Sequence, residues 1–385
     1  MTIVAQPRVL APRTTDEVRT AMLDAISARE PLRISGANTW ENAGPPIVAP
    51  HTLSMHALSG IVEYVPGDLT ITALAGTSLA ELSHATAAHG QWLGLDPAGD
   101  RLGTIGATIA TASSGPLAHA FGTPRDLVLG LEAVTGYGDV VRPGGRVVKN
   151  VAGFDLVRLY TGAWGTLGPI TSVTLRLRAL PVHDVTLAIA VPDASRLNAL
   201  ISLLRASTVS LIAAEWVDGD TAESLGIGSG DDVIVLRLGG NDHFVRGQRA
   251  VIDTYAASTP CDPAVWGALA MLDANAPVVL RLSGAVSDLP ERLERIRLAL
   301  TREQASFALH AGIGRGTIRV IVTVAADNLR NALQTEVSGQ LRNVERLPPS
   351  WWSAEADPFT DGLASRVRHA FDPQLLCNRR EVTDA

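Results

Sequence analysis

Cysteine is almost missing from this sequence: its 385 residues hold two, Cys261 and Cys377, far apart and in no C-x-x-C pattern. That excludes an iron–sulfur cluster or a four-cysteine zinc site carried by this chain alone. Basic runs are missing as well. Lys+Arg number 32 against 39 Asp+Glu, a net charge of -7, and nowhere do five basic residues stand together. Phosphate backbones require clustered positive charge, so nucleic acid is excluded as a partner. No stretch offers the roughly 18 uninterrupted apolar residues of a membrane span, and the opening MTIVAQPRVLAPRT has no apolar signal-peptide core. The expected location is cytoplasmic.

What remains is an ordinary globular composition, 46% hydrophobic and 18% charged. The length suits about two domains of roughly 100–200 residues. Thr14 and Glu17 form a capping box, and Val18, Ala21, Met22, Ala25 and Ile26 then share a face, which predicts a helix over 16–29. An apolar strand at Leu32-Arg33-Ile34 breaks at Ser35-Gly36-Ala37-Asn38-Thr39. Ile61 to Val65 and Thr70 to Leu74 predict a hairpin around Pro66-Gly67-Asp68, and Ser78 with Glu81 caps a helix to about His89. From Gly94 to Gly145 glycines recur among small residues, a composition that favours backbone exposure over side-chain packing. Thr171 to Leu177 alternate as a strand, and Pro181 marks a boundary.

Beyond it, strands are expected at 185–191, 211–217 and 232–238, with helices at 193–206 and 243–257. The rhythm repeats, with strands at 278–283, 305–310, 316–323 and 341–346 and helices at 286–301 and 325–336. It fits an antiparallel α+β layer covered by helices. Trp351-Trp352, a helix over about 357–371 and the tail Asp372 to Arg379 complete the chain.

Two segments point to chemistry, Ser35-Gly36-Ala37-Asn38-Thr39 and Leu102-Gly103-Thr104-Ile105-Gly106-Ala107-Thr108. Both lack bulky side chains where backbone could press on a ligand, and successive N–H groups in such turns suit phosphate oxygens. Taken alone, glycine-rich loops are usually tight turns, and that reading stays open on these residues.

A family resemblance adds to it. The run Gly103 to Gly115 resembles the second pyrophosphate and flavin loop of the vanillyl-alcohol-oxidase-type (PCMH-type) FAD-binding family. Phe121-Gly122-Thr123-Pro124-Arg125-Asp126, Leu129 to Val134 and the turn Gly165-Thr166-Leu167-Gly168-Pro169-Ile170 are similar to that family at comparable spacing. Gly36-Ala37-Asn38-Thr39 resembles its first loop, with Ala37 in place of a usual glycine, and Gly145 to Asp155 resembles the smaller FAD-binding subunits of glycolate oxidase. Phe371-Asp372-Pro373 and Asn378-Arg379 are similar to its C-terminal flavin-contacting motif, without the usual intervening glycine.

The resemblance implies an α+β fold: a two-part FAD-binding domain at 1–181, a ferredoxin-like cap at 182–347, and a segment at 348–385 returning to the flavin. It implies FAD, held noncovalently because no histidine or cysteine stands at either loop. Backbone of Gly36, Ala37, Asn38 and Thr39, and of Thr104, Ile105, Gly106 and Ala107, would hold the pyrophosphate. Thr108, Ala112, Ser113, Ser114 and Gly115 would line the ring system and ribityl chain; Gly168 and Ile170 would meet the adenine, and Asn378 the flavin. The implied partners are a larger catalytic FAD subunit and an iron–sulfur subunit, acting on a small 2-hydroxy acid, with the inner membrane reached only through them. Two rivals stand beside this: a self-sufficient FAD dehydrogenase, and a structural subunit whose flavin site has decayed.

His310, in Leu309-His310-Ala311-Gly312-Ile313-Gly314-Arg315, resembles the metal-and-base motif of catalytic 2-hydroxy-acid dehydrogenases, but Ile313, Arg315 and Thr317 replace its other polar residues. One imidazole does not hold a divalent metal, so no metal site is expected. No catalytic residue can be assigned. His51, His56, His84, His89 and His119 have no spaced partners, Lys149 reads equally as solvated charge, and Trp351-Trp352 reads as hinge packing.

Overall fold

The cap at Thr14 forms. In the computed structural model, which describes residues 8–40, 42–145, 155–337, 341–355 and 362–380, the Thr14 hydroxyl accepts the Glu17 amide at 3.2 Å. It opens helix α1 (Thr15–Ala28). The return bond of the box is displaced by one residue, with Glu17 Oε2 accepting from the Arg13 amide at 2.6 Å. Val18, Met22 and Ala25 face inward from α1 and meet Leu32, Leu53, Val134 and Cys377 in one apolar cluster. The chain divides into two units: Met1–Ser114 with Gly122–Leu180 and Trp352–Ala385, and Gly115–Phe121 with Pro181–Trp351.

The first unit holds two sheets. Strands β1 (Arg8–Leu10), β2 (Leu32–Ser35) and β3 (His51–Ser54) are all parallel, in the order β1-β3-β2. The second sheet starts with the expected hairpin, β4 (Ile61–Val65) and β5 (Thr70–Leu74), followed by α2 (Leu79–Ala87) and β6 (Gln91–Leu93). Short helices α3 (Ile105–Thr111), α4 (Ala118–Phe121) and α5 (Pro124–Leu127) lead to β7 (Val128–Val134) and β8 (Val140–Val141). After α6 (Leu156–Tyr160) comes β9 (Ile170–Ala179), whose alternating burial fits its place in the antiparallel order β4-β5-β9-β7-β8.

The glycine-rich stretch departs from expectation. Ile105 and Ile109 of α3 and Val134 of β7 are fully buried, so this region is packed core. Small residues serve close approach here: a Cβ on Gly106 would lie 2.6 Å from the Ala75 Cβ. Most of the Gly145 to Asp155 motif, Lys149 included, lies outside the described residues.

The second unit contains α4 and one antiparallel sheet. Its first half comprises β10 (His183–Val191), α7 (Ala194–Ala206), β11 (Ala213–Val217), α8 (Gly219–Ser224), β12 (Asp232–Gly240), α9 (Asp242–Tyr255) and β13 (Thr259–Pro260). Helix α10 (Val265–Met271) links it to the second half. That half has β14 (Val278–Ser283), α11 (Leu289–Arg302), β15 (Phe307–Gly312), β16 (Thr317–Val322), α12 (Asp327–Val337) and β17 (Leu341–Arg346). The sheet order β13-β10-β12-β11-β15-β16-β14-β17 resolves into two ferredoxin-like βαββαβ repeats with the same internal order. They join through their second strands, β11 against β15. The expected cap is therefore a tandem of two such motifs. The last helix, α13 (Gly362–Phe371), returns the chain to the first unit.

Candidate cofactor site

Strand β2 ends at Ser35 and the chain turns through Gly36 to Trp40, with Asn38 in the left-handed region at φ +57°. A Cβ on Gly36 would lie 2.4 Å from the Thr104 hydroxyl, so only glycine lets the two loops press together here. The amides of Ala37, Asn38 and Thr39 find no acceptor among the described residues. The second loop is disposed differently. Ile105 donates to Thr77 O at 2.9 Å, Gly106 to Ala75 O at 2.8 Å, Thr108 to Thr104 O at 3.0 Å and Ala107 to Thr104 Oγ1 at 3.3 Å. The first loop thus keeps unpaired amides, while the second is a close-packed wall.

Both loops line a cleft within the first unit. It brings together Gly36, Ala37, Asn38 and Thr39, then Thr104, Gly106 and Ala107, and finally Gly168, Ile170 and Asn378. It leaves out Ile105, which is fully buried, and Thr108, Ala112, Ser113 and Ser114; Gly115 belongs to the other unit. Helical spacing explains the split, because Thr104, Ala107, Ala110 and Thr111 share one side of α3 and Ile105, Thr108 and Ile109 turn away.

Sequence reading missed the cleft's aromatic pair. Trp40 and Trp164 lie face to face with ring centroids 6.3 Å apart and planes at 20°. Trp164 takes a positive φ of 53°, and its amide donates to Ala110 O at 2.8 Å. The signal was weak, since the two residues stand 124 positions apart along the chain, at 40 and 164.

Asn378 reaches the cleft as a staple. Its backbone amide donates to Leu32 O at 3.0 Å, its Oδ1 accepts the Ile34 amide at 2.7 Å, and its Nδ2 donates to Trp164 O at 2.7 Å. Behind it, the Asp372 carboxylate accepts the Leu376 and Cys377 amides at 3.0 and 2.7 Å. Burial pushes the Cys377 thiol far above its usual range, and the Asp372 carboxylate adds to the effect. Tyr160, on the cleft wall, is likewise pushed up by burial; its hydroxyl donates to Leu167 O at 3.3 Å and its ring meets Phe371 edge-on.

FAD fits this cleft on three counts. Free first-loop amides suit an anionic pyrophosphate. Ser35 Oγ and Trp40 Nε1, both on cleft-lining residues, are buried with no hydrogen-bond partner, and buried polar atoms are ordinarily satisfied. Glycine at 36 and 168 lets the cleft walls close up on neighbouring elements, since a Cβ on Gly36 would lie 2.4 Å from the Thr104 hydroxyl and one on Gly168 2.0 Å from Val134 O. No group of three or more His, Cys, Asp or Glu that could hold a metal occurs among the described residues.

The second unit supplies a partner that the sequence reading did not find for His310. Its Nδ1 lies 2.9 Å from Glu215 Oε2, across the seam between β11 and β15 and 95 residues away in sequence. Such pairing follows from strand register, which spacing along the chain does not reveal. His51 also has a carboxylate, Glu30, at 3.0 Å.

Comparison with known proteins agrees with this geometry. Residues 7–144 match the family described as FAD binding domain. The chain is similar to glycolate oxidase subunit GlcE of Escherichia coli (strain K12), 39% identical over 165 residues, covering 42% of this chain and 47% of that protein. It is similar to glycolate oxidase subunit GlcD of Bacillus subtilis (strain 168), 32% identical over 215 residues, covering 55% and 46%. The mitochondrial D-lactate dehydrogenase [cytochrome] of Arabidopsis thaliana is 27% identical over 255 residues, covering 65% and 45%. The chain thus spans about half the length of these curated relatives. Among solved structures, an alkyldihydroxyacetonephosphate synthase superposes with a TM-score of 0.74 at 17% identity, covering 97% of this chain and 76% of that one, a likeness of fold. No helix among the described residues is long and apolar enough to cross a membrane. With the unpaired donors of the first loop and the family match both falling within residues 7–144, this part of the chain is an FAD-binding domain, and FAD is its cofactor.

Proposed function

We propose that this chain is an FAD-carrying subunit of a glycolate-oxidase-type complex that oxidises a small 2-hydroxy acid. The likeness to GlcE and GlcD, both named as subunits of glycolate oxidase, is the observation that carries this reading. Flavin, when bound, supplies hydride and electron chemistry. The chain's own residues bind and position: Ala37, Asn38 and Thr39 offer amides to the pyrophosphate, and Asn378 keeps the Ile34 and Trp164 walls at fixed separation. A larger catalytic FAD subunit and an iron–sulfur subunit would supply turnover and electron exit, since neither cysteine here belongs to a cluster. The cofactor is held noncovalently, so acid precipitation should leave yellow FAD in the supernatant; colour kept in the washed pellet would refute this.

A second reading, a self-sufficient FAD dehydrogenase, is favoured by the Glu215–His310 pair, which equips this chain with an oriented imidazole. Steady-state dye reduction by the purified chain with glycolate and D-lactate separates the two. The subunit reading expects essentially none alone and activity on adding partners, whereas turnover near 1 s⁻¹ or above, the low end of ordinary enzymes at about 1–10³ s⁻¹, supports the second.

A further inference from the structure

The aromatic pair of the cleft is held in place against backbone strain. Trp164 sits at φ +53°, a sparsely populated region for any residue but glycine, and such strain persists only where the surroundings over-determine it. Here they do. Its amide donates to Ala110 O at 2.8 Å, and its carbonyl accepts from Asn378 Nδ2 at 2.7 Å. Two glycines make room beside it: a Cβ on Gly44 would lie 2.8 Å from Trp164 Cζ3, and one on Gly165 would lie 2.7 Å from Asn378 Nδ2. Segments around residues 44, 110 and 378, all of the first unit, thus converge on one tryptophan. Core filling does not account for this, because Trp164 and Trp40 both remain half-buried and line the cleft.

Trp40 adds a polar group to the aromatic wall. Its ring plane is 20° from that of Trp164, with centroids 6.3 Å apart, and its Nε1 is buried with no hydrogen-bond partner. An indole Nε1–H only donates, so the partner it lacks is an acceptor. Trp40 also directly follows Ala37, Asn38 and Thr39, whose amides find no acceptor among the described residues. The pair therefore adjoins the loop whose amides suit a pyrophosphate. FAD carries two planar rings. Adenine is joined to the pyrophosphate through a single ribose and the isoalloxazine through the longer ribityl chain, so adenine is the ring that stays next to the first loop.

We infer that Trp40 and Trp164 form an adenylate clamp, in which the indoles stack on the adenine ring and Trp40 Nε1 donates to an oxygen of the adjoining ribose phosphate. The inference rests on FAD as the cofactor and is independent of which acid is oxidised. It gives the flavin-free chain a binding activity of its own, for adenine nucleotides that carry no flavin, and makes ADP a competitor of FAD loading. The test is calorimetric titration of the flavin-free full chain with FAD, ADP and FMN, with thermal unfolding of each variant recorded first. The parent should bind ADP, and ADP should raise the apparent Kd for FAD. Trp164→Leu, which removes the π face, should weaken FAD and ADP about tenfold or more and leave FMN unchanged. Trp164→Phe, which keeps a π face, should restore most of that loss. Trp40→Phe removes the donor and keeps a ring, and should weaken FAD and ADP about fivefold; it carries the test by itself should Trp164→Leu not unfold cooperatively. No binding of ADP by the parent, ADP affinity undiminished in Trp164→Leu or Trp40→Phe, or FMN weakened as much as ADP would overturn the clamp. FAD and FMN bound equally tightly, with no binding of ADP, removes this inference alone, whereas binding of neither flavin removes the FAD reading.

Discussion

Replacing Asn378 with glycine tests whether the tail sets the width of the cofactor cleft. Asn378 sits at φ +43°, a region where glycine is unstrained, so Asn378→Gly removes the amide and keeps the backbone path. Two side-chain bonds of 2.7 Å are lost, and the Ile34 amide and Trp164 carbonyl lose their partner. At roughly 0.5–1.5 kcal/mol for each bond, rising where a buried group is left unsatisfied, the loss is about 2–3 kcal/mol. Asn378→Ala loses the same bonds and adds about 1–2 kcal/mol of left-handed strain. Thermal unfolding of the apo-protein should rank parent above glycine above alanine. Because one amide fastens both walls, FAD affinity should fall with it, by about tenfold for each 1.4 kcal/mol of lost preorganisation. Titration of FAD against tryptophan fluorescence reads this directly, as Trp40 and Trp164 line the cleft. A glycine variant that binds FAD as tightly as the parent, or an alanine variant no less stable than glycine, would refute the reasoning.

Gly106→Asp should prevent folding as well as flavin binding, because its Cβ would meet Ala75 O at 2.9 Å; a soluble, cooperatively unfolding apo-protein would contradict this. Glu132 should make stability depend on acid pH. Burial alone would raise its pKa, but hydrogen bonds from Thr15 and Thr171 and the Arg142 guanidinium outweigh it and hold the carboxyl below its usual value. Its stabilisation is thus complete above the unfolded carboxylate value of about 4.3 and lost as pH falls through the lower folded value. The melting-temperature gap between the parent and Glu132→Gln should close between pH 5 and 3, and a gap independent of pH would count against it. Gly168→Ala should abolish flavin retention, since φ is +124° and the added Cβ would lie 2.0 Å from Val134 O; normal FAD content in a purified variant would disprove it.

Long periodic elements were legible. Strands Val278–Ser283 and Leu341–Arg346 form at the expected residues, and α1 and α7 start at their caps, because local pattern and tertiary burial agree there. Short strands were not: β1 and β3 hold three and four residues and exist through parallel pairing to each other, which leaves no local signature. A glycine pattern shows that something comes close without showing what: Gly106 of the second loop lines the cleft, while the side a Cβ would occupy meets Ala75. The Glu215–His310 pair depends on how two repeats join at β11 and β15, a relation with no trace in residue spacing.

The C-terminal tail also bears on how the protein is made. Leu32 donates its amide to Leu376 O at 2.8 Å, and Cys377 fills a place in the apolar cluster built by α1 and β2. During synthesis the unit that emerges first therefore lacks part of its core until residue 377 has left the ribosome, whereas strands β10 to β17 of the second unit are already complete in sequence. Chains fold domain by domain as they emerge, at about 5–20 residues per second. In this protein the nascent order is inverted: the first unit waits with an open seam while the later-encoded sheet assembles, and its cofactor cleft closes only once residues 376–378 have emerged.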